Sequence, residues 1–376
     1  MKNVKMLLFV LVVGFAMILT ACSSSSSTGS DDEILIGTIL PVSGNNATDG
    51  KDMQNAMEMA IEEVNEAGGV LGKKIKLEVA DDACDPQTAT TAANKLVSSK
   101  VVAVVGGYCS GATLPASGVF QNAGVPLIVP AANSSELPAQ KYDTLFLING
   151  LVPNQAQTAA DYFNDKGAKK IVIIHDNSAY SKNLADFAVK SVEGNGGEVV
   201  AFEAINPEEK DFGSLMTKLK SLNPDGTFFT GYYAAAGLMK KQFEQKGVSG
   251  LFMVGDGSYS QDLIDIAGAD AEDILVTATP QATFIPGAED FVKKYEEKFD
   301  LSPGPYSALS YNGMQLLFDA ITRANSTDSE DIKEAIKNTK AFEAVGQVIE
   351  FNDENSLNES NFKVLTVKAG KFELAD

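Results

Sequence analysis

Short apolar runs alternate with longer stretches of helical periodicity along most of the chain. Ile34–Leu40 predicts a first strand, and Lys51–Ala67 follows it with apolar side chains three or four residues apart, which is typical of a helix packed on one face. Val101–Val105 is apolar at every position, as expected for a strand buried on both faces of a parallel sheet. Strands that alternate with helices in this way indicate a doubly wound α/β layer.

A second series of the same kind begins near residue 170. Its predicted strands are Ile171–Ile174, Glu198–Phe202, Thr227–Thr230, Phe252–Val254 and Ile274–Ala278, and three further strands are predicted at Gln347–Phe351, Phe362–Val367 and Lys371–Leu374. The folded part of roughly 345 residues exceeds one ordinary core, so we expect two lobes.

Polar residues follow several of these strands. Ser110 comes after the glycines that end Val101–Val105, Asn133 follows the next predicted strand, and Asp256 follows Phe252–Val254. In open α/β sheets, ligands lie outside the carboxyl ends of the strands. Glycines there let backbone N–H groups approach an anion closely. These loops are therefore the predicted ligand site.

The start of the chain has the pattern of a bacterial secretion signal over residues 1–21. Met1–Lys5 is basic, and the apolar run Met6–Leu19 falls short of the roughly 18–20 residues that a spanning helix needs. Leu19–Cys22 resembles the lipobox of bacterial lipoproteins, which implies cleavage after residue 21 and a lipid on Cys22. A Ser-rich tether over residues 22–32 follows. We therefore expect an extracytoplasmic protein that is lipid-anchored to the bacterial cell membrane.

Charge and cysteine content narrow the class of protein further. The formal net charge of -20, from 50 acidic and 30 basic residues, argues against nucleic acid as a partner. Of the 3 cysteines, Cys22 is assigned to the lipid, which leaves Cys84 and Cys109 as an even pair in an oxidising compartment. We expect these two cysteines to form a disulfide.

Two chemical alternatives arise from the same residues. Residues 107–111 spell G-x-C-x-G, the spacing of a nucleophile elbow with Cys109 as nucleophile, and His175–Asp176 could complete a catalytic set. A disulfide at Cys109 would remove that nucleophile. Asp81, Asp82 and Asp85 could form a metal loop, but we favour a solvated turn with an Asp N-cap to the next helix. We expect no catalysis, metal or cofactor.

In the alternative interpretation, the loops at the strand ends bind a small molecule and catalyse no reaction. A zwitterion requires donors for its carboxylate, an acceptor for its ammonium group, and apolar walls for its side chain. Ser110 and Asn133 could supply the donors, and Asp256 the acceptor. Three tyrosines beside these loops could form the walls, namely Tyr180, Tyr232 and Tyr306.

Several motifs together resemble the leucine/isoleucine/valine-binding proteins of branched-chain amino acid ABC transporters, which have the type I periplasmic-binding-protein fold. The resemblance runs from about residue 34 to the C-terminus. The motifs are Asn65–Lys74, Asp81–Pro86, Tyr108–Ser117, Pro130–Ala132, Lys210–Phe212 and Pro303–Tyr306.

The resemblance implies an α/β fold of two doubly wound, three-layer lobes joined by a three-crossover hinge, with crossovers near Gly150, Pro280 and Phe351. We therefore expect an N-lobe of residues 33–150 plus 280–351 and a C-lobe of residues 151–279 plus 352–376. It also implies a monomeric receptor that closes on a small α-amino acid of the branched-chain type and delivers it to membrane permeases. A sensory receptor, or a receptor for amides, has the same fold and remains open.

Site roles carried over from the family concern the ends of the amino acid. Ser110 and the backbone around Ala131 and Ala132 would hold the α-carboxylate. Asp256 would pair with the α-ammonium group, with help from the Tyr232 carbonyl. Tyr180 and Tyr306 match aromatic positions at the cleft, and Cys84 and Cys109 match a disulfide of close relatives.

Two positions depart from the family pattern. Asn133 stands where relatives commonly have Thr or Ser, which keeps a donor with a different geometry. Asp49 stands where some relatives place a Tyr that lines the side-chain pocket. An aspartate there is either solvated at the rim or selects a polar or cationic ligand, so the two positions bear on ligand identity.

Overall fold

Two open sheets form from the two series of alternating strands and helices. The computed structural model describes residues 32–358, 360 and 362–376. The predicted secretion signal, the lipid site at Cys22 and nearly all of the Ser-rich tether lie outside these residues. No described helix combines the length and hydrophobicity needed to cross a membrane.

The first sheet has five strands in the order β2-β1-β3-β4-β5. They are β1 (Glu33–Leu40), β2 (Lys74–Asp81), β3 (Val104–Val105), β4 (Leu127–Val129) and β5 (Leu145–Leu147). β1, β3, β4 and β5 pair in parallel, which brings their carboxyl ends to one edge. The helices between them are Ala47–Glu66, Pro86–Ser98, Ser110–Ala123 and Glu136–Ala139.

Helices from late in the chain complete the core of this first sheet. Ser307–Ala324 and Ser329–Lys337 bury Leu317, Ile321 and Ile332 in the same apolar cluster as β1 and β3. Glu289–Phe299 packs beside the helix Ala47–Glu66. The first sheet is therefore covered by helices from two separate stretches of the chain.

The second sheet has seven strands in the order β14-β13-β10-β9-β8-β6-β7. They are β6 (Lys170–His175), β7 (Glu198–Ala204), β8 (Gly226–Phe229), β9 (Leu251–Val254), β10 (Leu275–Ala278), β13 (Lys363–Lys368) and β14 (Lys371–Leu374). β6 to β10 are parallel, whereas β13 and β14 join antiparallel at one edge. The helices are Val152–Asp165, Ala179–Gly194, Gly213–Leu222, Tyr233–Lys246 and Gln261–Ala267.

Separate apolar clusters lie on the two faces of the second sheet. One contains Val172, Phe229 and Val254, and the other contains Ile171 and Phe228, which point the opposite way along the same strands. Helix, sheet and helix thus form three layers. The α/β class and the doubly wound arrangement are confirmed, while the exact lobe boundaries stay a prediction.

Several elements differ in extent from the sequence prediction. The helix predicted at Leu114–Asn122 begins earlier, at Ser110, and contains Pro115. The prediction starts too late because the polar first turn of this helix is also typical of a loop. The strand predicted at Gln347–Phe351 is β12 (Gln347–Ile349), which pairs only with β11 (Phe342–Ala344) as a separate hairpin. Both differences arise in short or polar segments, where the local sequence pattern is a weak predictor of element boundaries.

The predicted disulfide is present between Cys84 and Cys109, which are 25 residues apart. Cys84 lies just after β2 and Cys109 immediately precedes the helix Ser110–Ala123. The crosslink therefore ties the loop after one strand to the loop after another at the same edge of the first sheet.

We predict that replacing both cysteines by serine lowers the free energy of unfolding by about 3 kcal/mol, because the disulfide restricts the unfolded chain. Guanidinium denaturation of the oxidised wild type and of the double variant measures the difference. Reductant should lower the stability of the wild type and leave the variant unchanged. Equal midpoints for the oxidised wild type and the variant would contradict the bracing role.

Candidate ligand-binding site

The carboxyl ends of parallel strands from both sheets position the predicted site residues. Ser110 begins the helix after β3 and Asn133 follows β4, while Asp256 follows β9 in the second sheet. All three side chains are buried, as are Tyr180 and Tyr306. The sequence placed these residues at strand ends, and the structure brings them to one place.

Asp256 is the acceptor on which these elements meet. Its Oδ1 accepts hydrogen bonds from the Tyr180 hydroxyl at 2.6 Å and from Gln155 Nε2 at 3.1 Å. Its Oδ2 accepts from Asn133 Nδ2 at 2.8 Å, and its backbone oxygen accepts from the Tyr306 hydroxyl at 3.1 Å. Asn133 thus reaches from the end of β4 in the first sheet to the end of β9 in the second.

Burial governs the charge state of this carboxyl group. Asp256 is 3% exposed, and its desolvation raises the pKa to about 6 although Tyr180, Gln155 and Asn133 donate to it. Among the described residues, no Lys, Arg or His forms an ion pair with Asp256. The site therefore holds a buried acid that lacks a basic partner.

Gln155 belongs to this site although the sequence analysis did not select it. It is 0% exposed on the helix Val152–Asp165, and its Nε2 also donates to the Thr277 backbone oxygen at 2.8 Å. Its Oε1 is buried and accepts no hydrogen bond from any described residue. A glutamine on the apolar face of an amphipathic helix is the sequence signal that could have revealed it.

The start of the helix Ser110–Ala123 offers several hydrogen-bond donors. The Ser110 hydroxyl accepts from the Ser134 backbone N–H at 3.2 Å, and the first N–H groups of its helix have no intrahelical acceptor. A side-chain carbon at Gly111 would lie 3.7 Å from the Ala179 side chain, so this helix start closely approaches the start of the helix Ala179–Gly194. Two positive helix ends therefore converge here.

Three backbone groups in the segments predicted to hold the ligand already have partners in the fold. The Ala132 N–H donates to the Gly107 oxygen at 3.0 Å, and the Tyr232 oxygen accepts from the Ala236 N–H at 3.1 Å. The Ala131 oxygen accepts from Asn149 Nδ2 at 2.8 Å. The Ala132 N–H is therefore used inside the fold, and the other carboxylate contacts near Ala131 stay a prediction.

Four tyrosine rings form a continuous row through the site. Tyr108 contacts Tyr306 edge-on with centroids 5.5 Å apart and Tyr232 at 6.1 Å, and Tyr232 contacts Tyr180 at 5.5 Å. Burial raises the pKa of all four hydroxyls, so they remain neutral donors. Tyr108 belongs to the family motif Tyr108–Ser117, but the sequence does not predict it as a site residue.

Asp49 is buried rather than solvated at the rim, so that alternative is wrong. It is 3% exposed, and its Oδ2 accepts from the Tyr108 hydroxyl at 2.7 Å. Desolvation raises its pKa to about 7. The reason is that Tyr108 and the neighbouring rings cover the start of the helix Ala47–Glu66, which the sequence alone could not show.

The enzymatic alternative loses its nucleophile. Cys109 is bonded to Cys84 and has no thiol. The His175 ring packs against Phe202 with centroids 4.9 Å apart, and its Nδ1 accepts from the Asn177 N–H at 3.2 Å. His175 thus has a structural environment of its own.

The three aspartates at the end of β2 and in the turn after it accept hydrogen bonds from nearby backbone N–H groups. Asp81 accepts from the Val42 and Ala83 N–H groups, Asp82 accepts from the Cys84 N–H, and Asp85 caps the helix Pro86–Ser98 as predicted. Asp82 is buried rather than solvated. Among the described residues, no cluster of three potential metal ligands occurs.

Comparison with known proteins identifies the class that this fold and cleft define. The periplasmic binding protein family model matches residues 33–371, and the chain belongs to that family. The Leu/Ile/Val-binding protein homolog 3 of Brucella melitensis is 31% identical over 341 residues, which cover 90% of this chain and 92% of the relative. The family implies a solute-binding receptor outside the cytoplasm.

Solved structures support the same assignment. The leucine-binding protein LivK of Thermotoga maritima has a TM-score of 0.84 and 28% identity, and the match covers 91% of this chain and 98% of the other. LivJ of Streptococcus pneumoniae, a branched-chain amino acid transporter substrate-binding protein in complex with isoleucine, has a TM-score of 0.84, 31% identity and the same coverage. The chain is thus a type I periplasmic binding protein of the branched-chain amino acid group.

We predict that the unliganded protein becomes less stable as the pH rises from about 5 to about 7.5, by at least about 1 kcal/mol. Asp49, Asp82 and Asp256 have folded-state pKa values of about 7, 6 and 6, above their ordinary value of 3.8. In this window the folded state binds more protons than the unfolded state, so raising the pH favours unfolding.

Urea denaturation at a series of pH values measures this slope. The double variant D49N/D256N should have a shallower slope, because two of the three groups no longer titrate. A free energy of unfolding that stays constant or rises with pH across the window would contradict the prediction.

Proposed function

We propose that the protein is the substrate-binding receptor of an ABC importer and that it holds a small α-amino acid between its two lobes. The observation that carries this proposal is the buried Asp256 carboxylate, which has no basic partner within the described part of the chain but accepts hydrogen bonds from side chains of both lobes. Binding requires no chemical step, and the receptor acts without catalysis as a monomer.

The α-ammonium group has two acceptors beside one another. Gln155 Nε2 donates to Asp256 Oδ1, so the Oε1 of the same amide group lies beside this hydrogen bond. No described residue donates to that Oε1. An ammonium group has three N–H donors and would satisfy both oxygens. It would also favour the charged form of Asp256, which burial alone disfavours. The pair is thus suited to a protonated amine.

The α-carboxylate has a complementary place at the converging helix starts. The helices Ser110–Ala123 and Ala179–Gly194 bring their positive N-terminal ends close together, although the Ser178 side chain caps the second helix by accepting from the Ser181 N–H. The Ser110 hydroxyl can donate there while it accepts from the Ser134 N–H. One helix belongs to each sheet, so a carboxylate would bridge the lobes.

Closure supplies the mechanism of capture and release. Asn183 Oδ1, on the helix Ala179–Gly194, accepts from the Ser135 N–H and hydroxyl at 3.0 Å, and Asn133 reaches Asp256. A ligand that contacts both lobes binds the closed form better, and this difference in affinity shifts the population towards closure. The closed receptor presents the ligand to the permease subunits.

The comparisons favour transport and a branched-chain ligand as the starting hypothesis. LivJ was solved with isoleucine, and the Brucella relative is named for leucine, isoleucine and valine. The lipobox at Leu19–Cys22 supports a lipid anchor on Cys22 that keeps the receptor at the outer face of the membrane.

We predict that D256N weakens binding of the amino acid by about 2 kcal/mol or more, roughly 30-fold in Kd, through loss of the charge that pairs with the ammonium group. Thermal-shift screening of the twenty amino acids and small amides identifies the probe, and calorimetry measures its affinity. D265A, which alters an exposed aspartate on the helix Gln261–Ala267, is the control and should bind normally.

An unchanged Kd in a folded D256N variant would contradict the assignment of the ammonium site. A screen in which only amides raise the melting temperature would contradict the amino-acid proposal itself.

A further inference from the structure

We propose that Asp49 selects an amino acid whose side chain ends in a hydrogen-bond donor, an N–H or O–H group, instead of a purely aliphatic one. This inference rests on the proposed function, because it assigns the part of the cleft that would receive the ligand's side chain.

Asp49 lies in the first turn of the helix Ala47–Glu66 and is buried. The Tyr108 hydroxyl donates a hydrogen bond to Asp49 Oδ2 at 2.7 Å. The Ser260 hydroxyl, from the segment after β9, is the other group that favours its charged form. Asp49 therefore stands between the two sheets.

A second aspartate on the same helix shows what a purely structural carboxylate looks like in this fold. Asp52 accepts from the Gly304 N–H at 3.0 Å, the Tyr295 hydroxyl at 2.6 Å and the Ser307 hydroxyl at 2.5 Å. Those donors satisfy both of its oxygens within the chain. Among the described residues, Asp49, one turn earlier, has only the Tyr108 and Ser260 hydroxyls as donors, which leaves acceptor sites free on its carboxylate.

The row of tyrosines places Asp49 in the same cleft as Asp256. Tyr108, which donates to Asp49, contacts Tyr306 edge-on, and the Tyr306 hydroxyl donates to the Asp256 oxygen. Burial raises the pKa of the Tyr306 hydroxyl, and the charges of Asp256 and Asp49 both add to this effect. An amino acid with its ammonium group at Asp256 would extend its side chain past Tyr306 towards Asp49.

A neighbouring acceptor also lacks a donor. Asn46 precedes the helix as its N-cap, and its Nδ2 lies 3.7 Å from Cys109 Sγ, next to Ser110. Its Oδ1 is buried, and no donor in the described part of the chain bonds to it. A buried acceptor without a donor costs about 1–3 kcal/mol, and an aliphatic side chain packed there would leave that cost in place.

The negative charge of Asp49 also favours a ligand side chain that ends in a protonated amine. Among the described residues, no ion pair involves Asp49. A hydroxyl or amide would add a neutral hydrogen bond, whereas an ammonium group would add a charge-assisted one, which is stronger. The shared requirement is a donor at the end of the side chain.

Matched ligand pairs test this inference by calorimetry. Threonine and valine have nearly the same shape but differ by a hydroxyl group, asparagine and leucine differ similarly by an amide, and ornithine supplies an ammonium group. We expect the wild type to bind the donor member of each pair at least about tenfold tighter than its apolar partner. D49L should reverse that preference, and D52N should preserve it.

A wild type that binds valine and leucine as tightly as threonine and asparagine, or more tightly, would overturn the inference. D49N provides a smaller change if D49L does not fold, and it should remove any preference for ornithine. If amino acids bind in a manner that depends on Asp256 but is insensitive to Asp49, only this inference fails. If no amino acid binds, the proposed function fails with it.

Discussion

The buried carboxylate of Asp256 is the constraint on which the rest of the structure depends. Three side-chain donors converge on it from the helix Val152–Asp165, the helix Ala179–Gly194 and the loop after β4. Only Asn133 among them comes from the first sheet. A carboxylate removed from water needs such donors to remain charged, and its burial raises the pKa even so. A cationic ligand group would complete the set.

The architecture explains why such a carboxylate can exist between two sheets. Parallel strands end at a common edge, and each strand is followed by a helix whose first N–H groups have no intrahelical acceptor. Two such edges facing each other supply donors for an anion and loops for polar side chains. The Cys84–Cys109 disulfide holds the loop that carries Ser110 against the end of β2. In the proposed function, these two features receive the two charges of a zwitterion.

Much of this could be predicted from residue pattern alone. The alternation of apolar strands and amphipathic helices indicated the doubly wound lobes, and the two cysteines outside the signal indicated their pairing. Ser110, Asn133 and Asp256 were found because they follow strands, which is a local property.

The remaining site features depend on packing between distant segments. Gln155 is polar in an otherwise buried helical face, and its role follows only from the approach of Asp256, about a hundred residues later. Asp49 is buried beside Tyr108, which donates to it and in turn packs against Tyr306, and both tyrosines come from other parts of the chain.

The most direct test of the account is a crystal structure of the protein with its best-binding amino acid. The account predicts the α-ammonium nitrogen within about 3 Å of the Asp256 carboxylate and the α-carboxylate at the starts of the helices Ser110–Ala123 and Ala179–Gly194. An amino acid bound elsewhere, or one whose ammonium group does not contact Asp256, would contradict it.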